Sequence, residues 1–177
     1  MKLLTQAIKL GQMLIQEGAL TEEQLEHVLA RQKNKHKKLG ELLVEDGLVD
    51  ENVVLACLSR RLGLPSVKLR PGLIDPMIVD IIEKDVAEQH AIIAMFKVEE
   101  TLTVAMAEPQ ALLVVDDLQR STGLHIQPVM ALEANIREYI KKYYAQNVKI
   151  DSFMASLEEA NVDVIAHEHS DDTPILD

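Results

Sequence analysis

Two lysines, each followed by leucine and glycine, recur 29 positions apart as Lys9-Leu10-Gly11 and Lys38-Leu39-Gly40. A lysine at a helix start joins a cation to unpaired backbone N–H groups, a combination that suits a phosphate. A glycine beside it has no side chain, so a ligand can approach the backbone closely. Further along each copy, Leu25/Leu29 and Val54/Leu58 stand four residues apart and would form an apolar wall. Gln32 and Arg61 follow, where a polar group can read the edge of a base. Two equivalent half-sites fit a ligand with two equivalent halves, each carrying a phosphate and a flat base. Tandem helical units also repeat for a plainer reason, because stacking two of them buries a shared core. On that reading the leucines are core, the glycines are caps and the lysines are solvated.

The elements that must position these residues are legible over the first 62 positions. The repeat pairs Leu14/Leu43, Gly18/Gly47 and Arg31/Arg60, with near-matches at Ile15/Val44, Glu17/Asp46 and Thr21/Asp50, and KNKHK separates the copies. Thr21 and Gln24 form a capping-box pattern, and Asp50 takes the cap position in the second copy. Gly18 and Gly47 stand where the preceding helix must stop. Each copy is therefore a helix, a glycine stop, a cap and a second helix. The opening MKLLTQAIKLGQML is interrupted by Gln6, Lys9 and Gln12, and reads as an amphipathic helix and not as a signal peptide.

After Pro65 the pattern changes. SVKL (66–69) reads as a strand, residues 75–89 as a helix capped by Asp75, and 91–98 and 101–107 as two strands joined at Glu99–Glu100. A helix follows from Pro109 to Gly123, then a strand over 125–131 and a helix over 133–145. The expected class is α+β: an all-helical tandem αα unit over 1–62, a small α/β sandwich of order β-α-β-β-α-β-α over 63–146, and an acidic linker or tail over 147–177. Within that tail, KIDSFMASLEEA has the composition of a short helix.

The chain has 177 residues, 47% of them apolar, and a net charge of −11. Residues 1–70 hold 11 Lys/Arg and 9 Asp/Glu, a net of +2, whereas residues 71–177 hold 7 and 20, a net of −13. A small anion suits the first part, while a nucleic acid polymer is repelled by the second. Five Tyr and Phe with no Trp do not make a base-stacking platform. No apolar run is long enough to span a membrane. The lone Cys57 reads as a core residue of a protein in a reducing cytoplasm. No phosphate-loop, dinucleotide-binding or nucleophile-elbow motif occurs, and His167 and His169 lack further metal ligands at useful spacing. The residues point to no enzyme, no metal and no cofactor.

The doubled pattern of Lys-Leu-Gly, the following aliphatic pair, Gly18 or Gly47, and the leucines of each second helix resembles the tandem 24-residue motif of the MshEN-type domain. That domain is the N-terminal region of type II secretion and type IV pilus assembly ATPases, and some members bind cyclic di-GMP. LGLPSVKL, TLTVAMAEPQALLVVDDLQRSTG and IREYIKKYY resemble the same region, so the similarity covers roughly residues 5–145. The resemblance implies a cyclic di-GMP site with Lys9, Leu10, Gly11, Leu25, Leu29 and Gln32 in one half. Lys38, Leu39, Gly40, Val54, Leu58 and Arg61 form the other, with Glu41 able to accept from a guanine edge. Lysine replaces the family's leading arginine in both copies, keeping the charge but losing the bidentate fork. Arg61 replaces the second glutamine, Val54 a leucine, and Ala19 a larger aliphatic. The implied partners are a secretion or pilus ATPase module and an inner-membrane platform protein, which would hold the domain peripherally at the membrane. The alternative within the same family is a docking adaptor that has lost the nucleotide.

Overall fold

The computed structural model of the chain describes residues 2–32 and 36–145. The acidic tail, its short helix and the His167/His169 pair lie outside the described residues. Four helices open the chain: α1 (Lys2–Gln16), α2 (Glu22–Gln32), α3 (Leu39–Glu45) and α4 (Glu51–Leu62). The caps form as their residue types require. The Gln24 N–H donates to Thr21 Oγ1 at 3.2 Å and the Thr21 N–H donates back to Gln24 Oε1 at 3.0 Å. Asp50 Oδ1 accepts from the Asn52 N–H at 2.8 Å. Gly18 and Gly47 have φ of +71° and +67°, the left-handed conformation that lets each first helix end and the chain reverse.

The second half is a three-stranded sheet with helices against it. β1 (Ile92–Val98) pairs antiparallel with β2 (Thr101–Met106) across a tight turn at Glu99 and Glu100, with a bulge between Ala94 and Phe96. β2 pairs in parallel with β3 (His125–Met130), as a crossover through a helix requires, and α6 (Leu112–Thr122) is that crossover. The short helix α5 (Lys84–His90) precedes β1, and α7 occupies residues 133–145. The fold is α+β with a helical N-terminal region.

Three expectations are corrected. The strand over 66–69 reduces to a single parallel bridge between Ser66 and Met130. Pro65 has no N–H to give, and the Leu69 N–H is taken by Asn135 Oδ1 at 2.8 Å, so the ladder cannot extend. The helix over 75–89 breaks into an Asp75 turn, a 3-10 turn at Val79–Ile81 and α5. The run Ile78, Val79, Ile81 and Ile82 is β-branched and disfavours a helix. The Tyr144 hydroxyl, bonded to the carbonyls of Ile82 at 2.6 Å and Val79 at 3.1 Å, occupies acceptors that a continuous helix would use. Finally, α6 begins at Leu112 and not at Pro109, because Glu108–Gln110 form a turn.

Apolar side chains gather in two clusters. One is built by Leu10, Leu14, Leu25, Val28, Leu42, Leu43, Val54 and their neighbours on α1–α4. The other is built by the sheet, α6, α7 and the segment from Leu69 to Ile82. Leu132, just before α7, packs into the helical cluster, while Ile136 and Ile140 on α7 belong to the other. One short stretch of chain thus joins both cores.

Candidate ligand-binding cleft

The two motif copies interlock. α1 packs on α3 and α4, and α2 packs on α3. Arg31 of the first copy pairs with Asp46 of the second, and Arg60 of the second pairs with Glu17 of the first. Arg31/Arg60 and Glu17/Asp46 are equivalent positions of the repeat, so each copy gives its arginine to the other's carboxylate. Glu17 also accepts from the buried Cys57 Sγ at 3.2 Å. Burial first, and then the Glu17 carboxylate, push the Cys57 thiol up, opposite to what a nucleophile needs.

The motif glycines are explained by packing. A Cβ on Gly11 would lie 2.5 Å and 2.6 Å from the two methyls of Leu25, and one on Gly40 would lie 2.8 Å from Val54 Cγ1. Leu25 and Val54 sit at the same place in the two copies, 14 residues after the glycine. The backbone around the two Lys-Leu-Gly triplets differs, however. The second opens α3, with Lys38 as its N-cap residue. The first lies in the interior of α1, because residues 2–8 extend the helix upstream. Its N–H groups are therefore within the helical ladder, and the expected helix-start chemistry does not apply to Lys9.

Between the helical half and the α/β half lies a cleft of about 270 Å³. Seven of the twelve motif residues line it: Leu10, Gln32, Lys38, Leu39, Gly40, Leu58 and Arg61. The other five do not. Lys9 is exposed; Gly11, Leu25 and Val54 are buried; Leu29 is half-buried against the helical core. The opposite wall is one that the repeat gave no reason to expect: Ala107, Glu108, Gln110 and the stretch from Met130 to Glu133. Only the negative charge of the second half was a signal for it. A further recess of about 230 Å³ shares Lys38, Ala107, Glu108 and Glu133 with the cleft and adds His90 and Arg137.

The polar groups of the cleft are held in place. Gln32 Nε2 donates to the Lys37 carbonyl at 3.1 Å. Lys38 Nζ lies 3.0 Å from Glu108 and 3.9 Å from Glu133, and Arg137 holds Glu133 at 2.7 Å. Glu41 Oε1 accepts from the Ala134 N–H at 3.3 Å, so a carboxylate of the second motif satisfies the first turn of α7. Burial, and then the charge of Glu133, raise the Glu41 carboxyl above its ordinary value. A group whose pKa is raised by folding contributes stability below its unfolded pKa, and that contribution is lost as pH rises through the folded value. Glu41→Gln keeps an acceptor for Ala134 without the charge. It is expected to be more stable than the wild type at pH 7, by less than about 1 kcal/mol for a partly exposed group, and to show no advantage near pH 4. Thermal unfolding of both proteins at the two pH values checks this.

The sequence pattern of the MshEN domain family matches residues 62–149. The chain carries an MshEN domain. The match falls on the α/β half, downstream of the tandem motif, whereas the likeness to longer relatives spans both halves. The chain is 31% identical to the type IV pilus assembly ATPase PilB of Myxococcus xanthus over 95% of its own length and 31% of that protein's. It is 28% identical to the PilB of Thermus thermophilus over 78% of its own length and 16% of that protein's. The chain thus spans a third or less of the curated relatives it matches. Among solved structures, MshE with cdg, cyclic di-GMP, is 29% identical with a TM-score of 0.57, covering 76% of this chain and 98% of that one. The N-terminal domain of XpsE, 21% identical with a TM-score of 0.52 over 76% of this chain and 92% of its own, shares the fold. Both curated relatives are type IV pilus assembly ATPases. Among the described residues, no helix is long and apolar enough to cross a membrane, and no group of three or more His, Cys, Asp or Glu could hold a metal ion.

Proposed function

We propose that this chain binds cyclic di-GMP along its tandem motif and passes that signal to a pilus or secretion ATPase module. The observation that carries the reading is the convergence of Leu10 and Gln32 from one copy with Lys38, Gly40, Leu58 and Arg61 from the other on a single cleft. The likeness to MshE, a protein solved with this ligand, supports it. Lys38 supplies the charge for a phosphate. Leu10 and Leu58 supply an apolar surface for a flat base, and Gly40 brings the backbone of α3 to the cleft wall. Arg61, at the position equivalent to Gln32, can donate to guanine O6 and N7, the commonest pairing of an arginine with a base edge. Lys9, Gly11, Leu25, Leu29 and Val54 support the site from outside the cleft, Gly11 and Leu25 by packing.

Titration calorimetry of cyclic di-GMP into the chain, with GTP and cyclic di-AMP as controls, tests this. Saturable binding selective for cyclic di-GMP is the expected result, and Lys38→Ala is expected to weaken it about ten-fold by removing one charge-assisted contact. Lys38→Ala binding at full strength would overturn the phosphate assignment. A second reading is favoured by the carboxylates of Glu108 and Glu133 on Lys38: a docking adaptor that needs no nucleotide. It would bind a basic face of an inner-membrane platform protein and so sit peripherally at the membrane. Absence of heat with folded protein would select it.

A further inference from the structure

We propose that Glu108 and Glu133 are built-in competitors of the ligand for Lys38, so that an anion entering the cleft must break an ionic tie between the two halves of the domain. The inference rests on the reading of this cleft as an anion site and adds how occupancy is sensed. Lys38 is the cationic residue just before α3, and its ammonium leaves the helical half to meet two carboxylates of the other half. Glu108 stands in the turn after β2 and Glu133 in the first turn of α7, so both are fixed by the sheet and helix that carry them. Glu133 is shared with Arg137, whose guanidinium also donates to the Glu88 carbonyl at 2.9 Å, which leaves Glu108 as the main counter-ion of Lys38. Glu41, on the helix that Lys38 caps, adds a third carboxylate to the cleft from the helical half while it holds α7.

A phosphodiester placed on Lys38 finds that position already filled by Glu108. Binding therefore exchanges an internal ion pair for an external one, and its net gain is the difference between them. The same exchange releases Glu108 in the turn after β2, and Glu133 of α7, from Lys38, while Glu41 and Leu132 still join the start of α7 to the helical half. Ligand chemistry in the motif thus becomes a change in how firmly the two halves are tied.

Calorimetry on the full chain tests the competition with cyclic di-GMP as the probe. Glu108→Gln is expected to bind roughly three- to five-fold more tightly than the wild type, the scale of one partly exposed ion pair. Glu133→Gln should gain less. In a Lys38→Ala background the gain from Glu108→Gln should fall below about two-fold, because no ammonium remains to be released. Glu26→Gln, an exposed carboxylate on α2, should leave affinity unchanged, and unfolding temperatures confirm that each variant is folded. Equal or weaker binding by Glu108→Gln, with the wild type binding well, overturns the competition and leaves the ligand site standing. No binding by the wild type or any variant overturns the site itself and the competition with it.

Discussion

Leu14→Ala and Leu43→Ala are each expected to lower the free energy of unfolding by about 3 kcal/mol, within the range for deleting a fully buried leucine side chain. Both leucines are completely buried, one on α1 and one on α3, at equivalent places in the two motif copies. Both belong to the helical cluster, and α1 packs directly on α3. Each substitution removes transfer free energy and leaves a cavity that close-packed neighbours fill only in part. Urea denaturation of the two single variants and the double variant measures this. A double variant that departs from the sum of the singles is expected for residues in one core. A loss below about 1 kcal/mol at either position would mean that its copy does not pack as the structure describes.

Gly40→Ala is expected to cost about 1–3 kcal/mol by overpacking, and Gly11→Ala less. The new methyl on residue 40 meets Cγ1 of Val54, a completely buried, β-branched side chain with little rotamer freedom. The methyl on residue 11 meets the end of Leu25, which has a further torsion through which to yield. Val54→Ala removes the obstructing atom, so Gly40→Ala/Val54→Ala should be less than about 1 kcal/mol below Val54→Ala alone. Thermal unfolding of the four proteins in the cycle reads the coupling directly. If Val54→Ala fails to rescue, the glycine is required for a reason other than room for its neighbour. The result also separates two uses of the motif glycines: Gly40 both packs against Val54 and borders the cleft, whereas the space beside Gly11 is filled by Leu25.

The helical half was readable because its signals are local. The Thr21–Gln24 box, the Asp50 cap and the Gly18 and Gly47 stops lie within a few residues of the ends they set. The family resemblance likewise came from a pattern repeated within a short stretch. What escaped depended on distant partners. The strand at 66–69 failed because Asn135 takes the Leu69 N–H, and the helix at 75–89 broke where Tyr144 meets the carbonyls of Val79 and Ile82. The second wall of the cleft escaped for the same reason. Lys38 meets Glu108 and Glu133, and Glu41 meets Ala134, across separations that no periodicity encodes. Even the apparent equivalence of the two Lys-Leu-Gly triplets failed, because residues upstream of Lys9 continue α1 and place that triplet inside a helix.

The exchanged ion pairs, Arg31 with Asp46 and Arg60 with Glu17, have a consequence for the origin of the helical half. A contact in which position i of one unit meets position j of another, while j of the first meets i of the second, is the signature of an isologous, two-fold interface. A single helix–turn–helix of this kind therefore carries both halves of its own complement. Such a segment, present as a separate chain, could pair with a second copy of itself through these charges and the leucine face beside them. Gene duplication with KNKHK as the join would then fuse a homodimer into one chain. Once fused, the two halves no longer had to remain identical, and one could extend its first helix while the other kept its lysine at a helix start.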